Sequence, residues 1–168
     1  MKKLLILGAG GYGKTVADVA AQLGYAAVDF LDDHSPATLA PCADYSRLAG
    51  NYDGIYPAFG NNDFRMKWLR LLMAEGIPVP TLVHPRAYVS PRAKLGTGTV
   101  VLPMAVVNTN VTVGMGCIIN IGALIDHDTV IEDGTHLAPG AIVKAENRIA
   151  AGSKIESGQV IENRQYPL

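Results

Sequence analysis

From Val83 onward an aliphatic residue occupies every sixth position: Val83, Val89, Leu95, Val101, Val107, Val113, Ile119, Ile125, Ile131, Leu137, Val143, Ile149, Ile155 and Ile161. Ile, Leu and Val make up 43 of the 168 residues. Chance alone gives such an unbroken run on the order of once in 10^8. A period of six is neither that of a helix nor that of a strand. It is the period of a triangular coil, with one inward aliphatic per short strand and a turn at each corner. Four residues after each aliphatic the chain is mostly small or short, as at Ala87, Ala93, Thr99, Ala105, Cys117, Ala123, Thr129, Thr135, Ala141 and Ser153. Such residues let the corners close around a narrow core. Three hexads complete one coil, so equivalent positions recur every 18 residues, and four to five coils rise about 22 Å at the sheet spacing. Each coil is supported by its neighbours.

A net charge of −1 gives no reason to expect nucleic acid or an anionic membrane as a partner. No apolar run approaches a membrane span. The four apolar residues after Met1-Lys2-Lys3 pass straight into a glycine turn, too short a run for a secretory leader. Cys42 and Cys117 lie far apart without metal-type spacing, and they read as reduced thiols of a cytoplasmic protein.

The first eighty residues have a different pattern. Strands are expected at 3–7, 26–31, 54–59 and 77–83, and helices at 15–23 and 61–75. The first helix would bury Val16, Val19, Ala20 and Leu23, and the second Phe64, Trp68, Leu71 and Leu72. Alternating strand and helix imply a small parallel α/β unit over 1–82, followed by the repeats over 83–168. Gly8, Gly10 and Gly13, with Gly11 and Tyr12 between them, fit G-x-G-x-x-G between a strand and a helix. Asp32 and Asp33 follow about twenty residues later at a strand end. Glycines let a backbone approach phosphate, and an acid there meets a ribose. With half the strands of a full dinucleotide fold, the unit reads as a nucleotide or nucleotide-sugar site, the alternative being a tight turn with no ligand. Gly60 and Asn61 open the second helix at the same sheet edge. Arg65, one turn in, either reaches a phosphate or lies solvated beside an N-cap.

Within the repeats, Asp126-His127-Asp128 offers acid–base chemistry. Histidine removes a proton near neutral pH, and a carboxylate fixes its tautomer and stabilises the imidazolium. Asp and His are also ordinary corner residues. At the 18-residue period one outward ladder is wholly apolar: Tyr88, Val106, Leu124, Ile142 and Val160. Another contains Lys94, Thr112, Val130 and Arg148. A prism with one apolar face against a different face of its neighbour closes most simply as a ring of three, a homotrimer. His127 falls at a corner of the apolar face and His136 half a coil away, so the two are expected to meet only across a subunit boundary.

The hexads, of the form aliphatic-x-x-x-small-x, resemble those of a left-handed parallel β-helix. Preceded by GAGGYGK, FLDD and FGNNDFR, they make the chain similar to a bacterial family of sugar-nucleotide N-acetyltransferases and sialic acid O-acetyltransferases of surface-glycan synthesis. The resemblance implies a Rossmann-like acceptor-binding unit, with a UDP-linked amino-sugar favoured, and a β-helix that binds acetyl-CoA. It assigns the glycine turn, Asp32, Asp33, Gly60, Asn61 and Arg65 to the nucleotide. His127 becomes the general base, Asp128 its partner, and Asn120 and Asp126 members of the pocket. His136 lies near the thioester, and Gly140 and Ala145 fall on the acetyl-CoA side. No metal is implied. Many members have His at Tyr12 and Gly at Ala145. Asn147, Gln159 and Gln165 replace small residues, and relatives usually continue for one or two more coils. Lys144, Arg148, Lys154 and Arg164 are candidates for phosphate contacts.

Other classes remain to be weighed. A metal-dependent hydratase on the same prism needs three converging histidines, whereas only His127 and His136 lie well inside the repeats and His84 stands at their entry. A non-catalytic nucleotide-sugar binding module fits the short C-terminal part. An NAD-dependent oxidoreductase rests on the glycine turn alone.

Overall fold

The computed structural model describes residues 1–168. The chain divides into two compact units, Met1–Pro80 and Thr81–Leu168.

In the first unit β1 (Lys3–Leu7) is flanked in parallel by β2 (Ala27–Leu31) and β3 (Gly54–Pro57), in the order β2-β1-β3. Leu4 to Leu7 are fully buried, as a central strand covered on both faces requires. Helix α1 (Gly11–Gln22) starts four residues earlier than its apolar pattern, capped by the Gly10 backbone. It buries Val16, Val19 and Ala20, while Leu23 becomes the exposed C-cap. A short α2 (Tyr45–Leu48) forms in the stretch between β2 and β3.

Helix α3 (Asn62–Ala74) buries Arg65, Met66, Leu69 and Leu72. The expected stripe of Phe64, Trp68, Leu71 and Leu72 is thus rotated: the inward face contains an arginine, and apolarity alone points to the wrong side. Phe64 and Leu71 are exposed. Phe64 instead packs edge-on against Phe59, with ring centroids 4.6 Å apart, and Trp68 meets Tyr45 at 5.5 Å. The strand expected over 77–83 is confined to Leu82–Val83. Pro78 and Pro80 have no N–H for a ladder, and the Pro78 carbonyl alone joins the sheet, accepting from Ile55 N at 2.9 Å.

The second unit is a parallel β-solenoid of fourteen two-residue strands. Its first face stacks Leu82, Val100, Ile118, His136 and Lys154; its second stacks Tyr88, Val106, Leu124, Ile142 and Val160; its third stacks Lys94, Thr112, Val130 and Arg148. Every residue of the six-residue aliphatic series lies in, or packs against, one core cluster. The corners are filled by Ala105, Cys117, Ala123 and Ala141, all fully buried. Thr99, Thr129 and Thr135 sit there too, each returning its hydroxyl to a backbone carbonyl.

From Gly98 on, each corner has one residue in the left-handed region. Between the third and first faces it is always glycine: Gly98, Gly116, Gly134 and Gly152. Between the first and second it is Met104, Gly122, Gly140 and Gly158. Between the second and third it is Asn110, Asp128, Glu146 and Arg164, with φ of 54–59° and no glycine at all. A side chain in this conformation costs about 1 kcal/mol relative to glycine.

Asn147, in a slot read as small, is fully buried. Its amide donates to the carbonyls of Lys144 (2.9 Å) and Glu162 (2.8 Å), and its Oδ1 accepts from Tyr166 N at 2.8 Å. Arg148 N donates to Tyr166 O at 2.7 Å, so residues 162–166 lie against the last coil.

Candidate functional site

The glycine turn follows β1 where the strand order reverses, the position at which open α/β sheets bind ligands. Gly8 has φ +102°, and a Cβ there would meet Ala58 O at 2.9 Å. A Cβ on Gly13 would fall 1.9 Å from Gly8 O, so the helix packs on the turn through glycine. Gly10 and Gly11 face open space. Two glycines are therefore needed for packing and two leave the strand ends uncovered.

The acids are tied to this framework. Asp32 Oδ2 accepts from Ala9 N at 2.7 Å and Oδ1 from His34 N at 2.8 Å. These N–H groups, Ala9 first, hold its carboxyl below the usual range. Asp33 Oδ1 accepts from Cys42 N at 2.8 Å. Asn61 is the N-cap of α3, accepting from Phe64 N at 2.9 Å, and Gly60 is exposed beside it. Tyr12 Oη lies 3.1 Å from Tyr56 Oη. Arg65 fits neither arrangement expected of it. Its side chain is 1% exposed, and its guanidinium donates to Phe59 O (2.9 Å), Gly60 O (3.4 Å) and Asn62 Oδ1 (2.8 Å). It shapes the loop that carries Gly60 rather than standing in solvent or facing a phosphate.

In the solenoid, His127 occupies the corner after the second-face strand Leu124–Ile125. Its Nδ1 lies 2.7 Å from Asp128 Oδ2. Its backbone N donates to Asp126 Oδ1 at 2.7 Å. Each carboxylate is also held by an asparagine one coil earlier: Asn108 Nδ2 to Asp126 Oδ1, and Asn110 Nδ2 to Asp128 Oδ1, both at 3.0 Å. His127 Nε2 has no hydrogen-bond partner within the chain, and its side chain is 45% exposed. Asp128 raises the imidazole pKa above its ordinary value; partial desolvation opposes this, and Asp126, Asp128 and Glu146 add to it by charge. The same contact, with that from Asn110, holds the Asp128 carboxyl low. A groove of about 380 Å³ lies beside this corner, lined by Val106, Asn108, Leu124, Asp126, Ile142 and Lys144. Neither asparagine is conspicuous by local motif; the signal was their 18-residue spacing from the two aspartates.

At the other edge of the second face, Asn120 Nδ2 lies 3.0 Å from His136 Nε2, and Asn120 Oδ1 accepts from Ile121 N. Within one chain Asn120 thus joins His136, while His127 joins Asp126 and Asp128. Gly140 turns this same edge with φ +69°, its N–H donating to Ile121 O. Ala145 is buried at the His127 corner, and its carbonyl accepts from Arg164 N. The four candidate cations all face carboxylates: Lys144 with Glu162, Arg148 with Glu132, Lys154 with Glu156, and Arg164 with Glu146. The apolar ladder is open to solvent, with Tyr88 55%, Val160 41% and Leu124 38% exposed. No group of three or more His, Cys, Asp or Glu side chains is placed to hold a metal ion, and no helix is long and apolar enough to cross a membrane.

An α/β unit joined to a hexapeptide solenoid with a histidine–carboxylate pair at one corner defines a class of solenoid acyltransferases, and known proteins narrow it. Residues 3–72 match the family model described as the PglD N-terminal domain. The acetyltransferase domain of PglB from Neisseria gonorrhoeae FA1090 is 34% identical, with a TM-score of 0.93 over 98% of this chain and 84% of that one. The same domain has been solved in complex with acetyl coenzyme A. WeeI from Acinetobacter baumannii AYE is 26% identical, with a TM-score of 0.84 over 96% of this chain and 81% of that one. Perosamine N-acetyltransferase from Caulobacter crescentus, solved as a mutant with CoA and GDP-perosamine, shares the fold at 22% identity, with a TM-score of 0.79 over 98% of this chain and 92% of that one. The chain belongs to the hexapeptide-repeat family of bacterial sugar acetyltransferases.

Proposed function

We propose that this protein transfers the acetyl group of acetyl-CoA to an amine or hydroxyl of a nucleotide-linked sugar, a UDP-amino-sugar in preference, with His127 as general base. The observation that carries the reading is the contact of His127 Nδ1 with Asp128. A ring that donates from Nδ1 to a carboxylate presents the lone pair of Nε2, the nitrogen left open to solvent. The acceptor nitrogen or oxygen attacks the thioester carbon and forms the new bond as its proton passes to Nε2. The C–S bond then breaks, and CoA leaves as a thiolate that recovers the proton from the imidazolium. CoA is a good leaving group, so no acyl-enzyme is needed. Asp128 fixes the tautomer and stabilises the cation formed in the transition state.

In this reading Gly8, Gly10, Gly11, Tyr12 and Gly13, with Asp32, Asp33, Gly60 and Asn61, form the nucleotide side. Open space at Gly10 and Gly11 supports it. Asp32 contributes by holding the Ala9 turn, and Arg65 by holding the loop at Gly60. Copies of the chain associate as a homotrimer through the ladder of Tyr88, Val106, Leu124, Ile142 and Val160. His127 of one chain then faces the Asn120–His136 pair of the next, with acetyl-CoA between them. The reaction belongs in the cytoplasm, where acetyl-CoA is available.

The test is a thermal-shift screen of UDP-, CMP- and GDP-sugars with and without acetyl-CoA, followed by mass spectrometry of the sugar. A true acceptor raises the melting temperature and gains one acetyl group. A screen in which no sugar is acetylated contradicts the reading.

A further inference from the structure

The corner column of Asn110, Asp128, Glu146 and Arg164 is the one place in the solenoid where all the left-handed positions carry polar side chains. The other two corners use glycine at seven of eight such positions, which avoids the conformational cost. Strain retained at a corner that also holds the candidate base calls for a functional account. The contacts supply one. Asp128 has two carboxylate oxygens: Oδ2 faces His127 Nδ1 and Oδ1 receives the Asn110 amide. The second oxygen is thereby pinned, and with it the plane of the carboxylate. Two residues earlier on the same coils, Asn108 treats Asp126 in the same way, and Asp126 holds the His127 backbone N–H. One coil of asparagines thus buttresses both acids that fix the histidine, one through its ring and one through its main chain.

We propose that Asn110 is a positioning residue for the acetyl transfer, orienting the Asp128 carboxylate so that His127 keeps one tautomer and one ring orientation. This rests on the reading of His127 as base. The charged groups facing His127 are Asp126 and Asp128 on its own corner and Glu146 one coil later, itself paired with Arg164. Asn110 is the neutral member of the column, and it supplies a donor on the side of Asp128 away from the ring.

Two variants separate this role from a structural one. Asn110→Gly suits the left-handed backbone better than asparagine does, so folding and melting temperature are expected to hold or improve. It nevertheless removes the amide. Asp128 then turns more freely toward solvent, and the His127 imidazole titrates at lower pH than in the wild type, followed by NMR on the full-length protein without ligand. Asn110→Asp keeps the shape and tolerates the same backbone. It adds a negative charge beside Asp128, and His127 titrates at higher pH. With acetyl-CoA and a UDP-linked amino-sugar, Asn110→Gly is expected to lower kcat about tenfold with KM for acetyl-CoA unchanged, the effect of losing one hydrogen bond to a charged group. An imidazole midpoint unchanged or raised in Asn110→Gly overturns the proposal, as does an unchanged kcat in an active enzyme. The NMR arm needs no turnover. A wild-type protein that acetylates nothing contradicts the functional reading, while the titration still decides whether Asn110 governs the Asp128–His127 pair.

Discussion

His127 and Asp128 are adjacent in sequence, yet their side chains meet at 2.7 Å. Neighbours in an extended chain point to opposite sides. The left-handed turn at Asp128, with φ 54°, brings both to the outside of one corner.

The first prediction concerns pH. Asp128, and to a lesser degree Asp126 and Glu146, raise the His127 pKa. A general base works when neutral, so the acidic limb of kcat/KM should fall above the ordinary imidazole value of about 6.5. Asp128→Asn should move that limb down toward about 6.5 and lower kcat about tenfold or more. Stability runs the other way. The contact with protonated His127 is fully present below the unfolded-state imidazole pKa and lost as pH rises through the raised folded value. A pH–rate profile of wild type and variant checks the kinetic statement, and unfolding measured against pH checks the statement on stability.

The second concerns Asn147. Asn147→Ala leaves the carbonyls of Lys144 and Glu162 and the N–H of Tyr166 without this partner. The expected cost is about 2–3 kcal/mol, with earlier proteolysis after residue 161. Urea unfolding and limited digestion measure it.

Much of this was legible in the chain. The six-residue aliphatic period defines the solenoid because the inward position of each strand, unlike the corner slots that hold Thr99, Thr129, Thr135 and Asn147, is aliphatic in every hexad. The glycine turn was legible because strand, glycines and helix stand in order. Arg65 was not. A charged residue is normally a surface residue, and only the folded loop shows the Phe59 and Gly60 carbonyls converging on it. The strand expected at 77–83 failed because hydropathy outweighed the two missing N–H groups at Pro78 and Pro80. Asn108 and Asn110 became visible only once the coils were stacked, since their partners lie 18 residues away.

The third prediction separates the glycines. Gly13→Ala places a methyl 1.9 Å from the Gly8 carbonyl oxygen, a backbone atom that cannot swing aside as a side chain could. It should cost about 3 kcal/mol or more. Gly11→Ala meets nothing within 4 Å, so stability should hold or rise by about 0.5 kcal/mol. Its methyl enters the proposed nucleotide side, and KM for the sugar acceptor should rise. Thermal unfolding and steady-state kinetics distinguish the two variants.

The fourth concerns assembly. Leu124 is central in the exposed apolar ladder, between Val106 and Ile142. Leu124→Asp should convert the proposed trimer to monomers in sedimentation equilibrium. A wild-type protein that sediments as a monomer contradicts the shared site.

The most direct test of His127 as base is acetyl transfer by His127→Ala, measured with saturating acetyl-CoA and the best acceptor of the screen. The expected loss in kcat is about 100-fold or more, with the fold and the affinity for acetyl-CoA retained. A variant that transfers acetyl within about twofold of wild type contradicts the role of His127, because a positioned base contributes far more than that.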